Sequence, residues 1–193
     1  HTQGKSYYSL QPRLSARYDL GQGYSAKASY TCMAQYVHLL SSTPLSMPTD
    51  LWVPITKDIS PMYANQFSIG GYYSGLPGWE FSVEGYYKQM KHILEYQDGV
   101  SFFGTSTNWE EKVEMGEGRS FGLELMVQKT LGKTTGWLAY TLSKTDHRFK
   151  NGTINQGRWF PYKYDRRHSI SLNLSHKFLS LIHISEPTRR RGI

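Results

Sequence analysis

The sequence predicts an all-β protein, an antiparallel transmembrane β-barrel segment of about seven long strands, which in a fragment of this length forms an open curved sheet. Three observations carry that expectation. Apolar and polar residues alternate with period two over segments of about ten residues or more. Tight glycine-containing links alternate strictly with long loops. Aromatic residues, 15% of the chain, gather near the ends of the alternating segments.

The first run, LQPRLSARYDL, places Leu10, Pro12, Leu14, Ala16, Tyr18 and Leu20 on one face and Gln11, Arg13, Ser15, Arg17 and Asp19 on the other. After a tight link at 21–23 the pattern resumes in YSAKASYTCMAQY, with Tyr24, Ala26, Ala28, Tyr30, Cys32, Ala34 and Tyr36 aligned. Two such runs around a glycine turn read as a hairpin. A third run aligns Phe67, Ile69, Gly71 and Tyr73, turns at 75–78, and returns with Trp79, Phe81, Val83, Gly85 and Tyr87. A fifth sets Phe121, Leu123, Leu125 and Val127 on one side. It turns at 131–134 into a sixth with Gly136, Leu138, Tyr140 and Leu142. The last carries Ile170, Leu172, Leu174 and Phe178.

The long connections fall at about 41–65, 97–117 and 146–164. Soluble sandwiches have strands of about five or six residues and loops of no fixed alternation. Longer strands, apolar on one side, with short turns at one end and long loops at the other, suit a barrel whose apolar face meets lipid and whose polar face lines the interior. A mean hydropathy of −0.54 fits such a chain, because half of each strand never meets lipid. Tyr18, Tyr24, Tyr72, Tyr73, Trp79, Tyr86, Tyr87 and Trp137 are the expected interface girdles, where a ring sits in hydrocarbon and its polar atom reaches water.

Composition narrows the function. The net charge of +7 is scattered, and Arg189, Arg190 and Arg191 sit together at the end of the chain, so no nucleic-acid partner is expected. A single cysteine, Cys32, excludes an internal disulfide and a cysteine metal cluster. GEGRSFG precedes a strand rather than opening a helix, which argues against a phosphate cradle. The seven histidines lack helical zinc spacing, and His92, His147 and His168, at or beyond strand ends, are expected to be solvated or hydrogen-bonded. No local Ser, His and Asp grouping suggests a triad, so neither an enzyme nor a cofactor is expected. Ligand-contact candidates come from the loops: Phe102, Phe103 and Trp109 in the second, and Arg158, Trp159 and Tyr162 in the third. Aromatics there can stack on a ligand and arginine can hold an anion, while packing between loops is the competing explanation.

The run EGRSFGLELMVQKTLGKTTGWLAYTLSKTDHRF followed by INQGRWFPYKYDRRHSISLNLSHKF resembles the late barrel strands of TonB-dependent outer-membrane receptors. It is most similar to the group with an N-terminal carboxypeptidase-regulatory-like domain. PITKDISPMYANQFSIGGYY and FSVEGYYKQMKHILEYQDG fit the preceding strands, so the resemblance covers residues 8–178. It implies a Gram-negative outer membrane as location and a barrel of about 22 strands around a plug. It also implies import of a scarce ligand (iron chelate, cobalamin, glycan or peptide) driven by the TonB complex through the plug region. The membrane partner is outer-membrane lipid, and a surface lipoprotein is a further implied partner. Asp165, Arg166, Arg167 and His168 match the family's YDRRH series at the outer start of a strand, where they are expected to form a charge-paired rim. A passive porin-type channel and a soluble β-sheet binding module are the alternatives.

Against that pattern the end of the chain departs. LSLIHISEPTR, Leu179 to Arg189, resembles the conceptual translation of a transposase-type sequencing adapter, codon by codon. The expected organisation is therefore receptor barrel over residues 1–178 and a non-native adapter-derived tail over 179–193. The plug, the TonB-contact segment and the closing strands are expected to lie outside the fragment. A barrel segment with two unpaired edges is expected to aggregate in isolation.

Overall fold

The computed structural model describes residues 7–41, 50–97 and 109–178. Phe102, Phe103 and the segment 179–193 lie outside the described residues. The strands are β1 (Arg13–Gly21), β2 (Tyr24–Gln35), β3 (Val37–Ser41), β4 (Asp50–Pro54) and β5 (Met62–Tyr73). They continue as β6 (Trp79–Tyr96), β7 (Val113–Lys129), β8 (Thr134–Arg148), β9 (Phe160–Pro161) and β10 (His168–His176). One antiparallel sheet runs β1-β2-β5-β6-β7-β8-β10, with β9 beside β8, and β3 pairs β4 separately. Among the described residues β1 and β10 are its open edges.

Residues directly opposite in an antiparallel pair share a face, so the register tests the predicted alternation. It joins Tyr30 to Phe67, Phe67 to Tyr87 and Tyr87 to Phe121 in one row. The next row joins Ile69, Gly85, Leu123 and Leu142, and another joins Tyr73, Phe81, Val127, Leu138 and Leu172. These apolar side chains are exposed or half-buried rather than packed: Phe67, Ile69, Leu123, Leu138 and Leu172 are all open. A continuous apolar face of this extent is not compatible with water and marks a lipid-facing surface. Trp79 to Tyr87 spans about 26 Å of strand. At the usual tilt of about 40° that is about 20 Å of membrane, close to a barrel's apolar band.

The opposite face is polar and self-bonded. Ser29 and Ser68 hydroxyls meet at 2.7 Å, Ser120 and Thr145 at 2.9 Å, and the Tyr72 hydroxyl donates to Glu84 Oε2 at 2.8 Å. Tyr72, Tyr86 and Trp137 therefore leave the expected girdle. Their register partners Ser82, Gly122 and Gln128 belong to the interior face, so strand-end position alone did not tell which way a ring points. The turn-end girdle retains Tyr24 against Tyr73 at 4.4 Å and Trp79 stacked on Phe81 at 6.1 Å. At Gly23, φ is +84°, and a Cβ would fall 2.4 Å from the Gly75 backbone nitrogen, so two neighbouring tight turns close on each other only without a side chain.

Two departures occur at the long-loop end. The first long connection contains the hairpin β3–β4, which buries Leu40, Val53 and Ile59 against Leu94 and Val113. Within β6, His92 adopts φ +59° and shifts the register between Lys91 and Ile93. This bulge exchanges the two faces of the strand. Before it Met90 points inward; after it Ile93 and Glu95 do, opposite Gly116 and Glu114. His92 thus lies inside a strand, not at its end.

Candidate functional site

The third long loop builds the site. Beyond β8 the chain turns back over the interior face, burying Phe149 and Ile154 with Ala64, Met90 and Ile93. It then runs alongside β8 as β9, where Phe160 opposes His147 and Pro161 opposes Asp146. The Tyr162 N–H bonds to the Thr145 carbonyl at 2.9 Å, which hangs Tyr162 beside the His147 ring.

The resulting interior cavity of about 420 Å³ lies at the long-loop end of the barrel face. His38, Lys88, Glu95, His147, Tyr162 and Tyr164 supply its polar and aromatic wall, with Lys163 beside them. The His147 and Tyr162 rings are 4.4 Å apart and tilted by 30°, and Tyr164 meets Tyr162 edge-on at 5.5 Å. His147 is buried, yet its Nδ1 makes no hydrogen bond among the described residues and lies 3.9 Å from Glu95 Oε1. A buried, unbonded ring nitrogen is a costly arrangement unless a ligand or water completes it. The neighbouring Glu114 is also buried; its Oε1 accepts the Asn151 N–H at 3.2 Å and its Oε2 has no bond among the described residues. Burial pulls the His38 imidazole below its ordinary range despite the Nε2 bond to the Ser60 carbonyl at 3.1 Å, with the His92 charge acting in the same direction as burial. The cavity offers ring faces for stacking, imidazole nitrogens as donors or acceptors, and two ammonium groups against one carboxylate.

The sequence-predicted residues separate. Tyr162 enters the cavity. Trp109 packs against the Leu40, Val53 and Ile59 cluster instead. Trp159 is clamped on the opposite, outward side of the sheet, 4.3 Å from the Arg119 guanidinium and 4.8 Å from that of Arg148. Arg158 is exposed, and its carbonyl accepts the Asn155 side-chain amide at 3.4 Å. His147 was expected to be solvated or hydrogen-bonded, but the returning loop buries it. His92 does hydrogen-bond, to the Pro61 carbonyl at 3.1 Å, and His168 to the Tyr140 hydroxyl at 2.8 Å. His38, Lys88, Glu95, Lys163 and Tyr164 carried no signal in the sequence beyond their interior parity or loop position.

The YDRRH series sits where β10 joins β8. Asp165 Oδ1 accepts the Thr145 N–H at 2.8 Å, and its Oδ2 faces Arg167 Nη2 at 3.4 Å. The Arg166 and Arg167 carbonyls accept the hydroxyl and N–H of Ser143, each at 3.0 Å.

No curated protein matches the chain. A family model described as TonB dependent receptor-like, beta-barrel matches residues 1–185. That span takes in every strand of the sheet, the interior cavity and the rim at β10. Members of this family act at the outer membrane, binding a ligand and coupling to TonB. A lipid-facing apolar band, a self-bonded polar interior and long loops folded over one end are what such a barrel requires, and the chain belongs to the TonB-dependent receptor β-barrel family.

Proposed function

We propose that this chain is part of an outer-membrane importer, a transporter rather than an enzyme, whose outer interior cavity contacts a scarce ligand before TonB-driven passage. The observation that carries the reading is the buried His147, with an unbonded Nδ1, set against the Tyr162 ring at the cavity wall. Stacking surfaces with convergent donors and two lysines suit a ligand that is planar or ring-bearing and carries oxygen acceptors or negative charge. A ferric catecholate or an acidic glycan meets that description better than an apolar peptide does. The reading takes the outer membrane as location, the TonB complex as energy source, and a surface lipoprotein as partner at the outer mouth.

The test uses the full-length receptor in outer-membrane vesicles. Binding of a ferric catecholate, cobalamin, an acidic oligosaccharide and a short peptide would be measured for the wild type and for His147→Ala. Tight binding of one probe, weakened by the substitution, is the expected result. Passage of all four without TonB and without saturation would replace this reading with a passive porin-type channel.

A further inference from the structure

A second cavity lies on the other side of the sheet. It has a volume of about 630 Å³ and is bounded by two rows of outward side chains. Phe67, Tyr87 and Phe121 form one wall and Ile69, Leu123 and Leu142 the other. The trench opens at Gly85, where an added Cβ would meet nothing nearer than the Gly122 carbonyl oxygen at 4.0 Å. The walls are hydrocarbon and aromatic, and the trench crosses four strands near the long-loop edge of the apolar band.

The chemistry changes at its outer wall. Lys144 continues the row of Phe121, and the next row outward carries Arg119 opposite Asp146, followed by Glu117 opposite Arg148. Asp146 is almost fully covered, with Arg119 at 3.2 Å and Lys144 at 3.4 Å. Arg148 and Lys150 both bridge to Glu117. Four cations thus share two carboxylates. Arg119 and Lys144 keep roughly a third of their side-chain surface open while the carboxylate between them is hidden. The exposed charge above the trench is positive.

An apolar trench that ends beneath a net-positive edge complements one kind of molecule: an acyl chain attached to an anionic headgroup. Long loops mark the extracellular side of such a barrel, so the occupant comes from the outer leaflet. We propose that the trench over Gly85 seats an acyl chain of an anionic, phosphate-bearing lipid of the surrounding membrane, with Lys144 at the trench wall holding its phosphate.

The test reads lipid retention, so its outcome is independent of the imported ligand. Full-length receptor would be exchanged into nanodiscs of phosphatidylethanolamine with a minor share of phosphatidylglycerol, released, and its retained lipid counted by native mass spectrometry. Wild type is expected to retain phosphatidylglycerol preferentially. Lys144→Gln should lower that retention about five-fold, the worth of one surface cation at an anionic lipid. Gly85→Leu, which fills the trench, should remove it. Heat-modifiable gel migration reports whether each variant is folded, and Lys144→Gln carries the test by itself if Gly85→Leu is not. Equal retention of the two lipids by the wild type, or unchanged retention in folded Lys144→Gln, would overturn the proposal. Displacement by inorganic phosphate alone would overturn the acyl-chain part.

Discussion

The His147 imidazole lies 4.4 Å from the Tyr162 ring, and both face the interior cavity. The pair exists because β9 returns along β8 and fixes Tyr162 through its backbone bond to Thr145. Removing the ring by Tyr162→Ala takes away one stacking surface while leaving that backbone bond in place. The cost of an aromatic contact is about 0.5–1.5 kcal/mol. Ligand affinity of the full-length receptor should fall about three- to ten-fold in a titration of the bound probe, with folding unaffected by heat-modifiability. Tyr162→Phe should keep most of the affinity, which separates stacking from hydrogen bonding.

Asp165 fastens the start of β10 to β8. Its Oδ1 accepts a backbone N–H while Oδ2 faces a guanidinium, so Asp165→Ala leaves the Thr145 N–H without its acceptor. The loss should be about 1–3 kcal/mol. Asp165→Asn keeps an oxygen for Thr145 and loses only the half-exposed Arg167 pair, worth under about 1 kcal/mol. Urea unfolding of the reconstituted receptor should therefore rank wild type above Asn and Asn well above Ala. Equal destabilisation by the two would assign the role to charge instead.

The strands and their two faces were legible because a two-residue period survives wherever one face must meet lipid and the other must not. That Leu123 and Leu142, or Val127 and Leu138, share a face follows from it, and the register then sets them opposite each other. The β3–β4 hairpin was not legible: five-residue strands such as VHLLS carry too few alternations to stand out. The bulge at His92 was hidden because positive φ is uncommon for any non-glycine residue and a lone histidine in an alternating run does not mark one, so nothing local announced that Glu95 would join the interior. The site was half legible. Tyr162 was found through its aromatic loop, whereas the opposite fates of Trp159 and His147 depend on a loop crossing the sheet edge, which no spacing encodes.

Acidification should loosen the β3–β4 hairpin. The fold holds the His38 imidazole below its ordinary value of 6.5, because burial disfavours the cation. The unfolded hairpin then binds protons more readily, so this contribution is fully present above about pH 6.5 and is lost as pH falls below it. Amide exchange at Leu39 and Val53, corrected for intrinsic rate, should accelerate between pH 7 and pH 5 in the wild type. His38→Gln retains a donor for the Ser60 carbonyl and cannot titrate, so its corrected exchange should be flat across the same interval.

Gly116 is the position at which the third loop depends on an absent side chain. A Cβ there would fall 2.5 Å from Phe149 Cδ1 and 2.6 Å from the Arg148 carbonyl oxygen. The ring is fully buried among Met90, Ile93 and Ile154 and has little room to move. Overpacking of this kind costs about 1–3 kcal/mol. The least costly relief is to lift Phe149 and the segment behind it, since Gly116 is tied to Ile93 of β6 and the β7–β8 ladder that ends beside it at Glu117 and Arg148 is continuous. Lifting that segment also withdraws Trp159 from Arg119 and Arg148 and Tyr162 from His147. Gly116→Ala should thus weaken ligand binding as much as Tyr162→Ala does, although residue 116 does not line the cavity. Trp159 would become accessible to a collisional quencher in the same variant. Phe149→Leu in the Gly116→Ala background removes the clashing ring edge and should restore both readouts in part. A variant that destabilises the barrel without moving Trp159 would show that the strain is absorbed by the strands rather than by the loop.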